Sequence, residues 1–498
     1  MVYTAEPLEY PKGKTLPDLL LKLNVNNVPA ERPAIIDGVS GAIVYTYSSL
    51  RTAVRRVASH VRSEIQLPRG AVVGILAANS DSYPVLVHGI LAAGGVVSAF
   101  NPFYRRQEIA HSLRLAKPKI VLVDQSLAGT LTDGLSLAKL DYAPDLYILS
   151  SDTSHSAPWG PIFDLERIID TGAESPNVLE AQSDKNSSDV AFICFSSGTT
   201  GPMKGVALTH KNIVTNIFQH RQRLPEMFKS PKTVAALITP FFHILGLGVF
   251  VFTHINIVPP VALRLLQATT GSTADFSSLL CLINAAAPLK EVVSSELSRR
   301  MGCSITQWYG MTEASPSVIS QREDEVGIPD TVGKLLPGMS MKIIDSEGKE
   351  CPPEKPGEIL IQGPNLMPGY VGIQNGAADA AFIDGYFKTG DIGYANEKGY
   401  VFLVGRSKEL IKVKGHQVAP AELESILLSH PNVRDAAVKG VYFPDQETEY
   451  PAAYITTGLK QCQLGRLEAE VEAFVNQQVA KYKWLRGGVH VIAAIPRK

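Results

Sequence analysis

The chain has no excess of either charge, no paired cysteines and no unbroken apolar run, and each absence closes off a class of function. Its 47 lysines and arginines face 48 aspartates and glutamates, so there is no basic field for a nucleic-acid backbone and no nucleic acid is expected among its partners. Net charge is silent about single patches, and Arg105-Arg106 and the stretch Lys408 to Lys414 remain candidate anion sites. The cysteines (Cys194, Cys281, Cys303, Cys351 and Cys462) are scattered, odd in number and without metal-ligand spacing. That pattern predicts reduced thiols in a cytosolic or organellar compartment. The most apolar stretch, Tyr83 to Phe100, is interrupted by His88, Gly89, Gly94 and Gly95, so it reads as a buried helix running into a strand and no membrane span is expected. Met1 to Gly13 carries acids and prolines ahead of any apolar run. The expectation is therefore a protein that is not secreted, with the sequon at Asn186 unused. No internal repeat or low-complexity tract is visible.

What is present is the composition of a globular enzyme. With 498 residues, 45% hydrophobic and 19% charged, the chain is long enough for roughly two to four domains. From about residue 40 to 310, short β-branched runs alternate with helical patterns, which predicts α/β architecture with mostly parallel sheets. Strand candidates are Ile43 to Tyr47, Ala71 to Leu76, Lys119 to Val123, Val190 to Phe195, Thr233 to Ile238, His254 to Val258 and Leu279 to Asn284. Ser48 is the expected cap of a helix carrying Leu50, Val54, Val57 and Val61. From about 330 to 405 glycine and proline punctuate short strands, a β-rich module within a large N-terminal domain, 1–405. Residues 406–498 read as a small α+β domain, with a helix over Pro420 to Ser429 and a strand over Val433 to Gly440.

The run Ser196-Ser197-Gly198-Thr199-Thr200-Gly201-Pro202-Met203-Lys204-Gly205 follows a strand candidate and precedes a helical pattern near His210. Its glycines permit geometries closed to other residues, its hydroxyls donate, and Lys204 adds charge, so it suits a polyphosphate. It does not fit the Walker pattern, since Lys204 is followed by Gly205 and not by a hydroxyl residue. Alone it is also compatible with a flexible loop. Three other segments bear on the choice. Gln307-Trp308-Tyr309-Gly310-Met311-Thr312-Glu313 offers an aromatic face for a base, a hydroxyl for a phosphate and a carboxylate for magnesium, or else a strand end with a capping Thr. Thr389-Gly390-Asp391 places a carboxylate where a ribose could donate to it, or is simply a turn. Gly405 to Val418 alone reads as a basic strand or hairpin.

In order and separation these four segments resemble the adenylate-forming superfamily, particularly acyl-CoA synthetases similar to 4-coumarate CoA ligase. Asn101-Pro102, Pro240-Phe241-Phe242-His243 and Ala285-Ala286-Ala287-Pro288-Leu289 add to the match. The resemblance implies that the small C-terminal domain is mobile. It also implies ATP, Mg2+ and coenzyme A, with an aryl or medium- to long-chain aliphatic carboxylic acid as the small-molecule partner. The acid would be adenylated and then passed to the coenzyme A thiol. By the same resemblance, Ser196, Ser197, Gly198, Thr199, Thr200, Gly201 and Lys204 would hold the β- and γ-phosphates. Ala286 and Tyr309 would sandwich adenine with Gln307 nearby, Thr312 would touch the α-phosphate, Glu313 would bind magnesium, and Asp391 with Arg406 would hold ribose. His243, Trp308, Gly310 and Met311 would line the acyl pocket. Lys408 would be the hinge, Lys412 and Gln417 would contact the adenylate, and Lys414 and Gly415 would meet coenzyme A. Localisation would be cytoplasmic or peroxisomal.

The sequence also departs from the family. The last domain normally carries Pro-x-x-x-Ser-Gly-Lys, whose lysine bridges carboxylate and α-phosphate. Here the final residues are Ile495-Pro496-Arg497-Lys498, the domain reads as truncated, and Lys498 is not given that role. Between His243 and His254 relatives carry a further strand and helix, and Ile244 to Phe252 is near the shortest run able to cross between parallel strands, about ten to twelve residues. A sheet edge is expected to be exposed there. An incorrectly spliced reading frame is the preferred account of both gaps. Trp308 stands where 4-coumarate ligases commonly have glycine, and Leu245 where they often have tyrosine. The rival readings are a non-catalytic member that binds nucleotide or acyl ligand without forming the adenylate, and an adenylating enzyme that loads a carrier-protein thiol. The Lys412 to Gln417 segment counts against the second rival.

Overall fold

Two large sheets and a small separate body account for the chain. The computed structural model describes residues 1–498 apart from 25–26, 151–159, 175–186, 197–202, 226–238, 250–254, 270–275, 277–278, 288, 290, 373–380, 408, 415, 447, 460–463 and 497–498. For 248–249, 255–256, 260, 416–417 and 464–465 the backbone alone is described. The strand expected over Thr233 to Ile238 and the cysteine at 462 lie outside the described residues. None of the described helices is long and apolar enough to cross a membrane.

The first sheet is mostly parallel. From Val190–Ser196 it runs through Val96–Ala99, Val72–Leu76, Ile120–Asp124 and Asp145–Leu149 to Ile162–Phe163, every neighbour parallel. On its other side Lys204–Thr209 folds back antiparallel on Val190–Ser196, and Gly369–Tyr370 pairs antiparallel beyond it. Both faces are buried, which explains the continuous apolar runs. Ile120 and Leu122 pack with Val54, Val57 and Ile90 on one face, while Val121 and Val123 pack with Ile109, Leu113 and Leu131 on the other. The helix Tyr47–Ser63 starts earlier than its sequence indicated. Thr46, not Ser48, is the N-cap: its hydroxyl accepts from Ser49 N while the Ser49 hydroxyl accepts from Thr46 N.

The second sheet begins with the parallel strands Ile255–Ile257, Cys281–Asn284 and Ser304–Gly310 and continues antiparallel through Ser317–Ser320, Thr331–Leu335, Val401–Arg406, Tyr386–Ala395, Gly357–Gln362 and Ser340–Ile344 to Val2–Thr4. The β-rich segment is thus hydrogen-bonded into the same sheet as the parallel strands. Among the described residues, Ile255–Ile257 is the last strand on its side, reached from the six-residue helix Ile244–Val249. Residues 411–489 build their own apolar core, with Leu423, Leu427, Val471 and Leu485 packed on the strands Asp435–Phe443, Thr448–Thr456 and Val489–Val491.

The helix His210–Arg223 joins the two sheets. Its apolar residues Ile213, Val214 and Ile217 lie in one core cluster with strand residues of both sheets. Its buried amides reach the second sheet and the loop beside it: Asn212 Nδ2 donates to Pro364 O (3.0 Å) and Leu366 O (2.8 Å), Asn216 Nδ2 to Ser317 O (2.9 Å), and Gln219 Nε2 to Pro337 O (2.9 Å) and Asn365 Oδ1 (3.2 Å). Asn365 passes the network on, donating to Ala314 O (2.6 Å) and Ser317 O (2.8 Å). Asn365→Ala strips the Ala314 carbonyl of this donor in a dry site, and a buried carbonyl left unpaired costs about 1–3 kcal/mol. The expected outcome is a fall of that order in unfolding free energy, measured by denaturant titration.

Candidate active site

Two carboxylates organise the candidate site, Asp391 within the second sheet and Glu313 where a turn of that sheet meets the edge of the first. The first is Asp391, in the strand Tyr386–Ala395 directly opposite Arg406. Gly390 has φ +73°, a turn that a side chain would strain, and Asp391 N donates to Thr389 Oγ1 (3.0 Å), which in turn donates to Ile359 O (2.7 Å). The carboxylate so placed takes two partners from elsewhere. Tyr309 Oη donates to Oδ2 at 2.6 Å and Arg406 Nε lies 3.3 Å from Oδ1. Burial raises the Asp391 pKa, and the tyrosine hydrogen bond and the guanidinium oppose that rise. The Tyr309 hydroxyl is pushed well above its ordinary value by burial and then by the Asp391 charge, so it donates at any physiological pH.

The second carboxylate is Glu313, buried in the turn Thr312–Ala314. Its Oε1 accepts from Tyr370 Oη at 2.9 Å and its backbone carbonyl from Met367 N at 2.8 Å. Lys204, opposite Ser196 at the base of the hairpin, holds its ammonium 4.5 Å from the centre of the Tyr370 ring. Met203, just before it, is pinned twice: Tyr104 Oη donates to Sδ (2.9 Å), and His111 Nε2 is 2.7 Å from its carbonyl. Since a carbonyl only accepts, that Nε2 carries the proton. Ser197, Gly198, Thr199, Thr200 and Gly201 lie outside the described residues.

On the parallel strands, Ala286 adopts φ +71° just after Cys281–Asn284. Gln307 holds this loop, its Oε1 accepting from Leu289 N at 2.9 Å. Alternation along the strand sends Trp308 to the opposite face from Tyr309. There the indole stacks on His220 (centroids 4.1 Å apart, planes at 18°) and packs with Leu224, Leu245, Cys281 and Ile283. Gly310 has no room for a side chain, since a Cβ would sit 2.0 Å from Pro316 O, and Met311 N donates to that same carbonyl. His243 leads the helix Ile244–Val249, accepting from Leu247 N (2.9 Å) through its carbonyl. Solvent reaches His243, yet the protein around it desolvates the imidazole and lowers its pKa.

In the small body Lys412 and Gln417 face one another across the hairpin Ile411–Val413 and His416–Val418. Thr448 fastens it, accepting from Lys414 N (2.7 Å) and donating to Lys412 O (2.9 Å). Lys408 and Gly415 lie outside the described residues, as does the Gln417 side chain. Tyr370, Tyr104, His111 and His220 were not singled out from sequence. Tyr370 stands in a two-residue strand after Pro368-Gly369, where nothing local separates it from an ordinary turn aromatic.

Comparison with known proteins identifies the family. The AMP-binding enzyme family model matches residues 21–254 and 250–371, and the AMP-binding enzyme C-terminal domain model matches 422–498. A probable 4-coumarate–CoA ligase 1 of Dictyostelium discoideum is 34% identical over 532 aligned positions, covering 97% of this chain and 93% of that protein. The phenylacetyl-CoA ligase epaB of Aspergillus niger is 31% identical, covering 94% of this chain and 91% of that protein. Among solved structures, ATP-bound MatB from Rhodopseudomonas palustris superposes with a TM-score of 0.81 at 27% identity, covering 98% of this chain and 96% of that one. The chain belongs to the AMP-binding enzyme family, among relatives named as acyl- and aryl-CoA ligases. The two matched segments adjoin at 250–254, where the sequence places its internal shortening.

The Tyr309–Asp391 contact has a pH signature. A carboxylate whose folded pKa is raised contributes stability below its unfolded pKa and loses that contribution as pH rises through the folded value. Tyr309→Phe removes one of the two partners favouring the ionised form, so the folded pKa moves further up. Urea transitions are expected to show a larger drop in unfolding free energy from acidic to neutral pH for Tyr309→Phe than for the wild type. Asp391→Asn abolishes this component in both backgrounds.

Proposed function

We propose that this chain is an ATP- and magnesium-dependent acid–CoA ligase acting on an aryl or medium- to long-chain aliphatic carboxylic acid. The observation that carries the reading is the meeting of Tyr309, Asp391 and Arg406, drawn from three separate sequence motifs, around one carboxylate. A part-buried carboxylate whose ionised form is favoured by a phenol and a guanidinium against the cost of burial is suited to accept the two hydroxyls of a ribose. In this reading Tyr309 and Ala286 flank adenine, Gln307 fixes the loop that carries Ala286, and Thr312 faces the α-phosphate. The hairpin from Ser196 through residues 197–201 to Lys204 receives the β- and γ-phosphates.

In the first step a carboxylate oxygen attacks the α-phosphorus, the bond to the β-bridging oxygen breaks and pyrophosphate leaves. Aligned cations and amides lower that barrier by meeting charge where it develops. In the second step the coenzyme A sulfur attacks the acyl carbon and AMP leaves with the former acid oxygen. Lys412 and Gln417 contact the adenylate, Lys414 and Gly415 meet coenzyme A, and Lys408 is the hinge between the two arrangements. His243, Trp308, Gly310 and Met311 bound the acid.

Glu313 fits a magnesium ion. It offers a hard carboxylate already oriented by Tyr370, and no group of three or more His, Cys, Asp or Glu among the described residues could hold a metal alone. A cation at this turn therefore needs phosphate oxygens to fill its shell, as magnesium in nucleotide sites does. When bound, it would neutralise phosphate charge.

Two assays test the reading. One follows pyrophosphate and thioester with ATP, magnesium, coenzyme A and a panel of acids; the other supplies synthetic acyl adenylates and coenzyme A and follows thioester alone. Turnover in either supports the ligase, and silence in both across every acid class ends it. Asp391→Ala is expected to weaken AMP binding by about tenfold or more in calorimetry, the value of one or two hydrogen bonds to a charged group.

A further inference from the structure

We propose that Tyr370 is a positioning residue that couples Lys204 of the phosphate hairpin to Glu313 of the cation-binding turn and so sets the affinity for a divalent cation with its nucleotide. The proposal rests on the ligase reading above.

The coupling is built into the backbone. Tyr370 pairs directly with Val206, and Val371 N donates to Gly205 O at 2.7 Å, so the segment is an added strand on the hairpin that carries Lys204. Three residues before Tyr370, Met367 N donates to Glu313 O at 2.8 Å, which fastens the same segment to the turn of the second sheet. A strap five residues long thus joins the two sheets at the site. Lys204 lies two residues from Val206, a diagonal neighbour of Tyr370 on the same face. That register brings the ammonium to 4.5 Å from the ring centre, while the hydroxyl at the far end reaches Glu313 Oε1 at 2.9 Å.

Both restraints hold a charge without cancelling it. A ring face attracts an ammonium but leaves it a full cation, and a phenol fixes a carboxylate but leaves it a full anion. A carboxylate salt-bridged directly to Lys204 would have spent both charges on each other. Hydrogen bonds that orient a metal-ligating carboxylate from behind typically matter about 10–100-fold in metal affinity.

The test compares Tyr370→Phe, which keeps the ring, with Tyr370→Leu, which removes ring and hydroxyl. Manganese serves as the spectroscopic probe, with ATP and AMP binding measured by calorimetry on the full chain. Tyr370→Phe is expected to weaken manganese–ATP binding by about tenfold or more while leaving cation-free AMP binding unchanged. Tyr370→Leu is expected to weaken ATP binding further, without cation as well, because Lys204 loses its support. In a Glu313→Gln background Tyr370→Phe should add no further loss of cation affinity. A Tyr370→Phe protein that binds manganese–ATP like wild type, that loses AMP and cation binding in equal proportion, or whose effect adds fully to Glu313→Gln overturns the proposal. If the wild type itself shows no cation-dependent ATP binding, the ligase reading fails and takes the coupling with it; a normal wild type with an unchanged variant removes the coupling alone.

Discussion

The two sheets are held in one relative position by amides that have nowhere else to go. Asn212, Asn216, Gln219 and Asn365 are buried; the first three donate from the helix to oxygens of the second sheet and its loop, and Asn365 accepts from Gln219 and donates on to Ala314. An apolar seam would tolerate sliding, because hydrophobic contact is non-directional. A hydrogen-bonded amide in a dry site does not, since a displaced donor loses its partner and water cannot replace it. The network ends on Ala314, the last residue of the turn that carries Glu313. Placement of the Glu313 carboxylate is therefore tied to the register between sheets.

Site and seam share one physical problem, which is keeping polar groups buried yet usable. The carboxylates solve it in parallel. Asp391 and Glu313 each take a hydrogen bond from a tyrosine whose own pKa is raised by burial and by that carboxylate. A neutral donor compensates part of the desolvation cost without consuming the charge. Asp391 has Arg406 in addition, and its pKa is still raised, so burial outweighs both partners there.

Much of the first sheet was legible because strands buried on both faces are mostly apolar, as Ile120 to Val123 and Val72–Leu76 are. The motif residues were legible for a chemical reason: glycines, hydroxyls and a lysine in close succession have few other uses. What escaped was whatever depends on distant partners. Asn216 and Gln219 were not singled out, and only Ser317, Pro337 and Asn365, about a hundred residues or more away in sequence, reveal them as structural. The meeting of Tyr309 with Asp391 is of the same kind, since each motif suggested a ligand contact and neither suggested the other. The continuity of the β-rich segment with the parallel strands rests on pairings such as Leu335 with Ile319 and Ile319 with Tyr309, which local texture does not record.

A single strand, Ser304–Gly310, sends neighbouring side chains into two different surroundings. Tyr309 points to Asp391, and Trp308, its neighbour, points away into the cluster with His220, Leu224 and Leu245. Because successive side chains alternate faces, substitution at Trp308 reshapes the apolar side and leaves the Tyr309–Asp391 contact in place. Leu245 contacts that cluster from the helix Ile244–Val249, next to the point where the two family segments adjoin. The departures from the family thus fall on the face that bounds the acid in the proposed reading. The other face has less freedom: Asp391 relies on Tyr309 and Arg406 and Glu313 on Tyr370, so losing such a partner leaves a buried charge less supported.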